Sequence, residues 1–283
     1  MDPAIGSLQL MLRLQVDELD IVGSTSCFSY ICMNRFVTVF GYGSLMNRES
    51  AMRTMPSLTN FRKGILEGYR REYSLVSISG LKNGAIEPFV AALAIRKVDT
   101  DEQVIGCIFD IPEYELEPYF VRESRYCRTQ VEVVAYDDSN NITCDRVLAW
   151  TVIEQTDGDY RARLLKESKS YEQEVGCIYP SGKLWGRTDI LPMPSYFELV
   201  LHSAHDLDRA YGIISTQDLN QLDSIGFKFD LFKSGAGCSK IIVEDDMNMN
   251  VNLSCVHNLL HQGYLADRST TLYRYILRRV SKL

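Results

Sequence analysis

Val37-Thr38-Val39-Phe40 is a short apolar, β-branched run that stops at Gly41-Tyr42-Gly43-Ser44-Leu45. It reads as a buried strand entering a glycine-rich turn. From there to residue 155 the apolar residues keep coming in strand-length runs. Phe61 to Val76, broken by Gly64 and Gly68, predicts two strands or one bent strand. Phe89 to Val98 and Val104 to Ile111 predict two more, joined by the polar Asp99-Thr100-Asp101-Glu102 turn. Val131, Val133 and Ala135 precede Asp137-Asp138-Ser139-Asn140-Asn141 and the run Arg146 to Ile153, which together predict a hairpin. Two short helices interrupt the strands. Asn47 to Met55 is closed by Pro56, and within Pro112 to Tyr126 the residues Leu116 and Phe120 stand four apart, with Pro118 suited to a first turn. That places Glu123 near the end of a second turn.

Beyond residue 155 the texture changes. Tyr160 to Glu174, Tyr196 to Tyr211, Asn248 to His261 and Thr270 to Val280 carry helical patterns, punctuated by Pro180, Pro192 and Pro194. The expected organisation is an N-terminal extension over 1–35, a strand-rich unit over 36–155, and a helical C-terminal extension over 156–283. Leu8, Leu10, Leu12, Leu14 and Val16 alternate in the first segment without a basic or Arg/Ser-rich leader, so an added strand or an extension is expected there rather than a targeting peptide. Met33 raises the hypothesis of a shorter product, which intact mass would check.

Composition narrows the function. With 46% hydrophobic residues the chain of 283 can bury a core, and a net charge of −7 with no basic run longer than two argues against nucleic acid as partner. No stretch of about 18 apolar residues is present to span a membrane. Eight cysteines are scattered with no C-x-x-C, which predicts reduced, mostly buried thiols in a reducing compartment. The final Ser281-Lys282-Leu283 matches the tripeptide read by the peroxisomal import receptor, so a peroxisomal matrix location is expected.

Two features carry chemistry. The glycines flanking Tyr42 allow a sharp turn that leaves backbone N–H groups facing a ligand anion or developing oxyanion. It is not a nucleophile elbow, because Met46 stands where G-x-S-x-G needs glycine. The second is Glu123, at a helix end among Arg122, Arg125 and Arg128. Such a carboxylate is either a surface ion pair or a general base tuned by a partly enclosed pocket. His202 with His205, and His257 with His261, are spaced for a shared helix face, but Asn258 replaces the glutamate of an H-E-x-x-H site. Gly235-Ala236-Gly237-Cys238-Ser239-Lys240 lacks the spacing of a phosphate loop, and Cys127 lacks a histidine partner for nucleophilic catalysis. Neither a metal nor a cofactor is expected.

Taken in order, Val39-Phe40-Gly41-Tyr42-Gly43-Ser44-Leu45, Glu67-Gly68-Tyr69-Arg70-Arg71-Glu72-Tyr73, Val104-Ile105-Gly106-Cys107-Ile108-Phe109 and Arg122-Glu123 with Tyr126, Arg128, Val131 and Val133 resemble the gamma-glutamyl cyclotransferase-like superfamily. That superfamily includes the ChaC-type and avirulence-induced-gene proteins. The resemblance implies an α+β fold built on a small mixed β-barrel. It further implies a gamma-glutamyl small molecule held by Tyr42, Gly43, Ser44, Leu45 and Tyr126, and Glu123 as the acid/base that releases 5-oxoproline without a cofactor. Tyr42, Tyr126 or the turn amides are the implied oxyanion stabilisers. A metabolite-binding protein, or an enzyme for another amide or acyl rearrangement, remains the alternative on the same barrel.

Overall fold

The computed structural model describes residues 35–136, 142–211 and 254–280. Its strands are β1 (Phe36–Gly41), β2 (Thr59–Glu67), β3 (Tyr69–Val76), β4 (Ala91–Lys97), β5 (Gln103–Pro112), β6 (Cys127–Tyr136), β7 (Ile142–Ile153) and β8 (Gly263–Leu265). Its helices are α1 (Arg48–Met52), α2 (Ile78–Lys82), α3 (Leu116–Arg122), α4 (Asp157–Lys166), α5 (Pro194–Ala210), α6 (Cys255–Gln262) and α7 (Leu272–Val280).

Five strands close into a barrel in the order β1-β5-β2-β6-β7. Four pairings are antiparallel, and parallel pairing of Thr38 with Ala149 and Val39 with Trp150 seals the ring. Alternation explains the closure: along β6, Val131, Val133 and Ala135 are buried while Glu132 faces out. The segment 59–76 is two strands, hinged at Gly68, whose φ of 73° suits a residue without a side chain. The hinge sends β3 out of the barrel into a second sheet of order β4-β3-β8.

The second half is more than helical. Gly263-Tyr264-Leu265 pairs in parallel with Arg71-Glu72-Tyr73 of β3, adding a strand that three residues are too few to announce in sequence. The single helix expected over Tyr160 to Glu174 is two pieces. Thr156 caps the start of α4, and Ser168, at a left-handed φ of 55°, follows its end before a wide helical turn over Glu172–Gly176. Pro194 opens α5 at its first position, where a missing N–H costs nothing. Near the other end of α5, Asp208 bonds buried Lys63 of β2 at 2.7 Å and accepts the Cys255 and Val256 amides and the Ser254 hydroxyl, so it also caps α6.

Of the cysteines whose side chains are described, Cys107 and Cys255 are buried and Cys127 and Cys177 exposed, all as free thiols. The expectation of mostly buried thiols therefore holds for half of them. Residues 1–34 with Met33, the turn 137–141, Gly235 to Lys240, 248–253 and Ser281-Lys282-Leu283 lie outside the described residues. Among the described residues no helix is long and apolar enough to cross a membrane.

Candidate active site

β1 delivers the chain into the glycine turn, and two arginines brace it. Arg71, fully buried on β3, donates to the Tyr42 carbonyl at 3.1 Å, to the Asn258 side chain at 3.0 Å and to the Ile105 carbonyl. Arg122, the last residue of α3, donates to the Ser44 hydroxyl at 3.1 Å and to the Ser50 carbonyl at 2.6 Å. The turn is thus tied both to β3 of the second sheet and to the end of α3.

Glu123 follows α3, its N–H still bonded to the Tyr119 carbonyl at 3.0 Å. The next three carbonyls are all held by side chains: Ser124 and Tyr126 by Arg163 of α4, and Arg125 by Gln155. A carboxylate held this way has little freedom to wander. Its side chain is 16% exposed and lies 3.2 Å from the Arg122 guanidinium.

Glu123 and the turn face a single cavity of about 270 Å³. All six residues singled out from sequence, Tyr42, Gly43, Ser44, Leu45, Glu123 and Tyr126, line it, together with Phe40, Leu93, Tyr119, Val152 and Tyr196. Burial pushes the Glu123 carboxyl above the ordinary carboxylate range, opposed by Arg122 and Arg125. Burial likewise raises the phenols of Tyr42, Tyr119 and Tyr126, with the Glu123 charge adding to each, so they are neutral donors at physiological pH. The cavity therefore offers one carboxylate poised to exchange a proton, backbone at a tight turn, and neutral hydroxyls.

The competing sequence features sit elsewhere. His202 and His205 lie on α5, and the His257 and His261 rings of α6 stack at 4.3 Å, with none of the four lining the cavity. Among the described residues no group of three or more His, Cys, Asp or Glu is arranged to hold a metal. The exposed Cys127 thiol contacts its neighbour's carbonyl and is not part of the cavity wall.

The family model of ChaC-like proteins matches residues 37–183, just over half the chain. The chain belongs to the ChaC-like family. Among solved structures it is similar to an uncharacterised human protein at 15% identity, covering 42% of this chain and 67% of that one with a TM-score of 0.33. It is also similar to a gamma-glutamyl cyclotransferase at 14% identity, with coverages of 43% and 68% and a TM-score of 0.33. A yeast gamma-glutamyl cyclotransferase specific to glutathione stands at 16% identity, with coverages of 69% and 97% and a TM-score of 0.32. At these scores the assignment rests on the family match. No curated protein matches the chain.

The ChaC-like match begins with β1 and stops at Lys183, before α5. Two functional candidates escaped the sequence. Tyr119 had a signal, standing on α3 four residues before Glu123, which follows that helix. Tyr196 had none: it lies 73 residues after Glu123, outside the ChaC-like match, and only the docking of α5 brings it to the cavity.

Proposed function

We propose that this ChaC-like chain is a gamma-glutamyl cyclotransferase-type enzyme that converts a gamma-glutamyl compound into 5-oxoproline and a free amine or peptide. One observation carries the reading: the Glu123 carboxylate and the Tyr42-Gly43-Ser44-Leu45 turn line the same small cavity. In this reading Tyr42, Gly43, Ser44, Leu45 and Tyr126 bind the gamma-glutamyl moiety. Glu123 takes a proton from the substrate's α-ammonium, and the freed amine attacks its own γ-carbonyl carbon. The new C–N bond closes a five-membered ring as the carbonyl π electrons move to oxygen. When they return, the bond to the leaving amine breaks: Glu123 gives that amine the first proton, takes the second from the ring nitrogen, and passes it to the released amine or to solvent. Ring closure is intramolecular, so holding the substrate folded supplies much of the acceleration. Burial brings the Glu123 pKa closer to neutrality, which favours a group that must both take and return a proton.

The test is release of 5-oxoproline from a panel of gamma-glutamyl amines and peptides, glutathione included. Glu123→Gln is expected to abolish it while the variant stays folded. No release by the wild type from any member of the panel overturns the reading, and equal binding of an unaltered metabolite by wild type and variant would make this a binding protein. The proposal extends to location: Ser281-Lys282-Leu283 would address the enzyme to the peroxisome, and removing the tripeptide should leave an imaged fusion outside that compartment.

A further inference from the structure

Tyr196 stands in the first turn of α5 with its ring edge-on to Tyr73, the centroids 6.3 Å apart. Its hydroxyl rests on the glycine turn. A Cβ built at Gly43 would meet that oxygen at 2.7 Å, whereas the next nearest atom, on Leu93, is 3.8 Å away. Burial raises that phenol and the Glu123 charge adds to the rise, while the backbone at Ser44 and Leu93 opposes it. Leu93 is available because the β3–β4 ladder shifts register between Glu72 and Leu75, leaving Leu93 unpaired between Ala92 and Ala94.

The consequence is a division of labour between two tyrosines. Tyr126 spends its proton on the Leu93 carbonyl at 2.7 Å. The Tyr196 hydroxyl, seated on the turn at the cavity wall, has its proton to offer to whatever occupies the cavity. Burial and the Glu123 charge keep that phenol protonated.

We propose that Tyr196 is the side-chain oxyanion donor of this site: its O–H, seated on the Gly43-Ser44 turn, hydrogen-bonds the γ-carbonyl oxygen as that oxygen gains charge. The inference rests on the cyclotransferase reading. Tyr196 keeps its proton throughout; only the hydrogen bond strengthens as the π electrons move to oxygen and weakens when they return.

The test is steady-state kinetics of wild type and Tyr196→Phe on the gamma-glutamyl compound with the highest wild-type turnover. The kcat should fall about 100-fold with KM within about threefold and the melting temperature within about 2 °C. An active wild type whose variant loses less than about fivefold, or loses through KM instead, overturns the inference and leaves the cyclotransferase reading standing. A wild type that releases no 5-oxoproline overturns that reading and this inference with it. The placement has its own check, independent of substrate. Gly43→Ala should lower the melting temperature less in the Tyr196→Phe background than in wild type, since removing the hydroxyl removes the 2.7 Å contact. Equal losses in the two backgrounds overturn the placement.

Discussion

The Lys63–Asp208 pair makes an asymmetric prediction. Both side chains are fully buried, and their charged atoms lie 2.7 Å apart, so removing either partner leaves a charge out of water. Breaking such a pair costs about 3–5 kcal/mol when the remaining charge has nothing else. The two halves are not equally dependent on each other. Without Lys63, the Asp208 carboxylate keeps the Cys255 amide at 2.7 Å, the Val256 amide and the Ser254 hydroxyl at 2.9 Å, and the positive end of α6. Without the Asp208 charge, Lys63 loses its carboxylate while keeping the face of the Tyr136 ring 5.5 Å from its ammonium, and an asparagine there turns an N–H₂ toward groups that are themselves donors. Asp208→Asn should therefore cost about 4 kcal/mol and Lys63→Met about 2 kcal/mol. At roughly 2–4 °C per kcal/mol for a chain of this size, that is a melting-temperature drop of about 8–16 °C against 4–8 °C. The double variant should cost less than the sum, about 3 kcal/mol, because neither orphaned charge remains. Urea unfolding of the four proteins measures all three values. If Lys63→Met costs as much as Asp208→Asn, or if the double variant is additive, the claim that Asp208 is held by its cap as well as by Lys63 is wrong.

Three further outcomes follow from the cavity. Glu123 must be ionised to accept the ammonium proton, so activity should fall on the acid side, at a pH above the ordinary carboxylate range; because Arg122 opposes the rise, Arg122→Met should move this limb to higher pH, and a limb that stays put or moves lower refutes the assignment. The same raised pKa means the folded chain holds the Glu123 proton more tightly than the unfolded chain, so that contribution to stability fades as pH rises through the folded value, and Glu123→Gln should melt no lower than wild type near neutrality. Tyr126→Phe should cost about 1–2 kcal/mol in urea unfolding, since it strips the Leu93 carbonyl of its 2.7 Å donor inside a buried wall.

What could be read in advance follows the range of the interactions involved. The barrel strands were visible because period-two burial is local: Val131, Glu132 and Val133 announce which face is inside without knowledge of any partner. The turn and Glu123 were visible as motif fragments, although they stand about 80 residues apart and only barrel closure makes them neighbours. Lys63 was not, since a lysine in the run Phe61-Arg62-Lys63-Gly64 reads as solvent-facing until its carboxylate, 145 residues later, is known to be inside. β8 failed for the opposite reason, being too short to carry a period at all.

Tyr196 combines both failures, and that bears on what the C-terminal half is for. Its position depends on α5, and α5 is fixed to the barrel near its far end by Asp208, twelve residues or about 18 Å along the helix. The Asp208 bonds to 254–256 then hold α6, from which Asn258 reaches the Arg71 that braces the Tyr42 carbonyl. The path from buried ion pair to glycine turn thus runs from Asp208 through the start of α6 and Asn258 to Arg71 of β3. Residues after 183 are therefore part of the site's construction: α5 supplies a wall and a hydroxyl, and α6 supports the turn on which that hydroxyl rests.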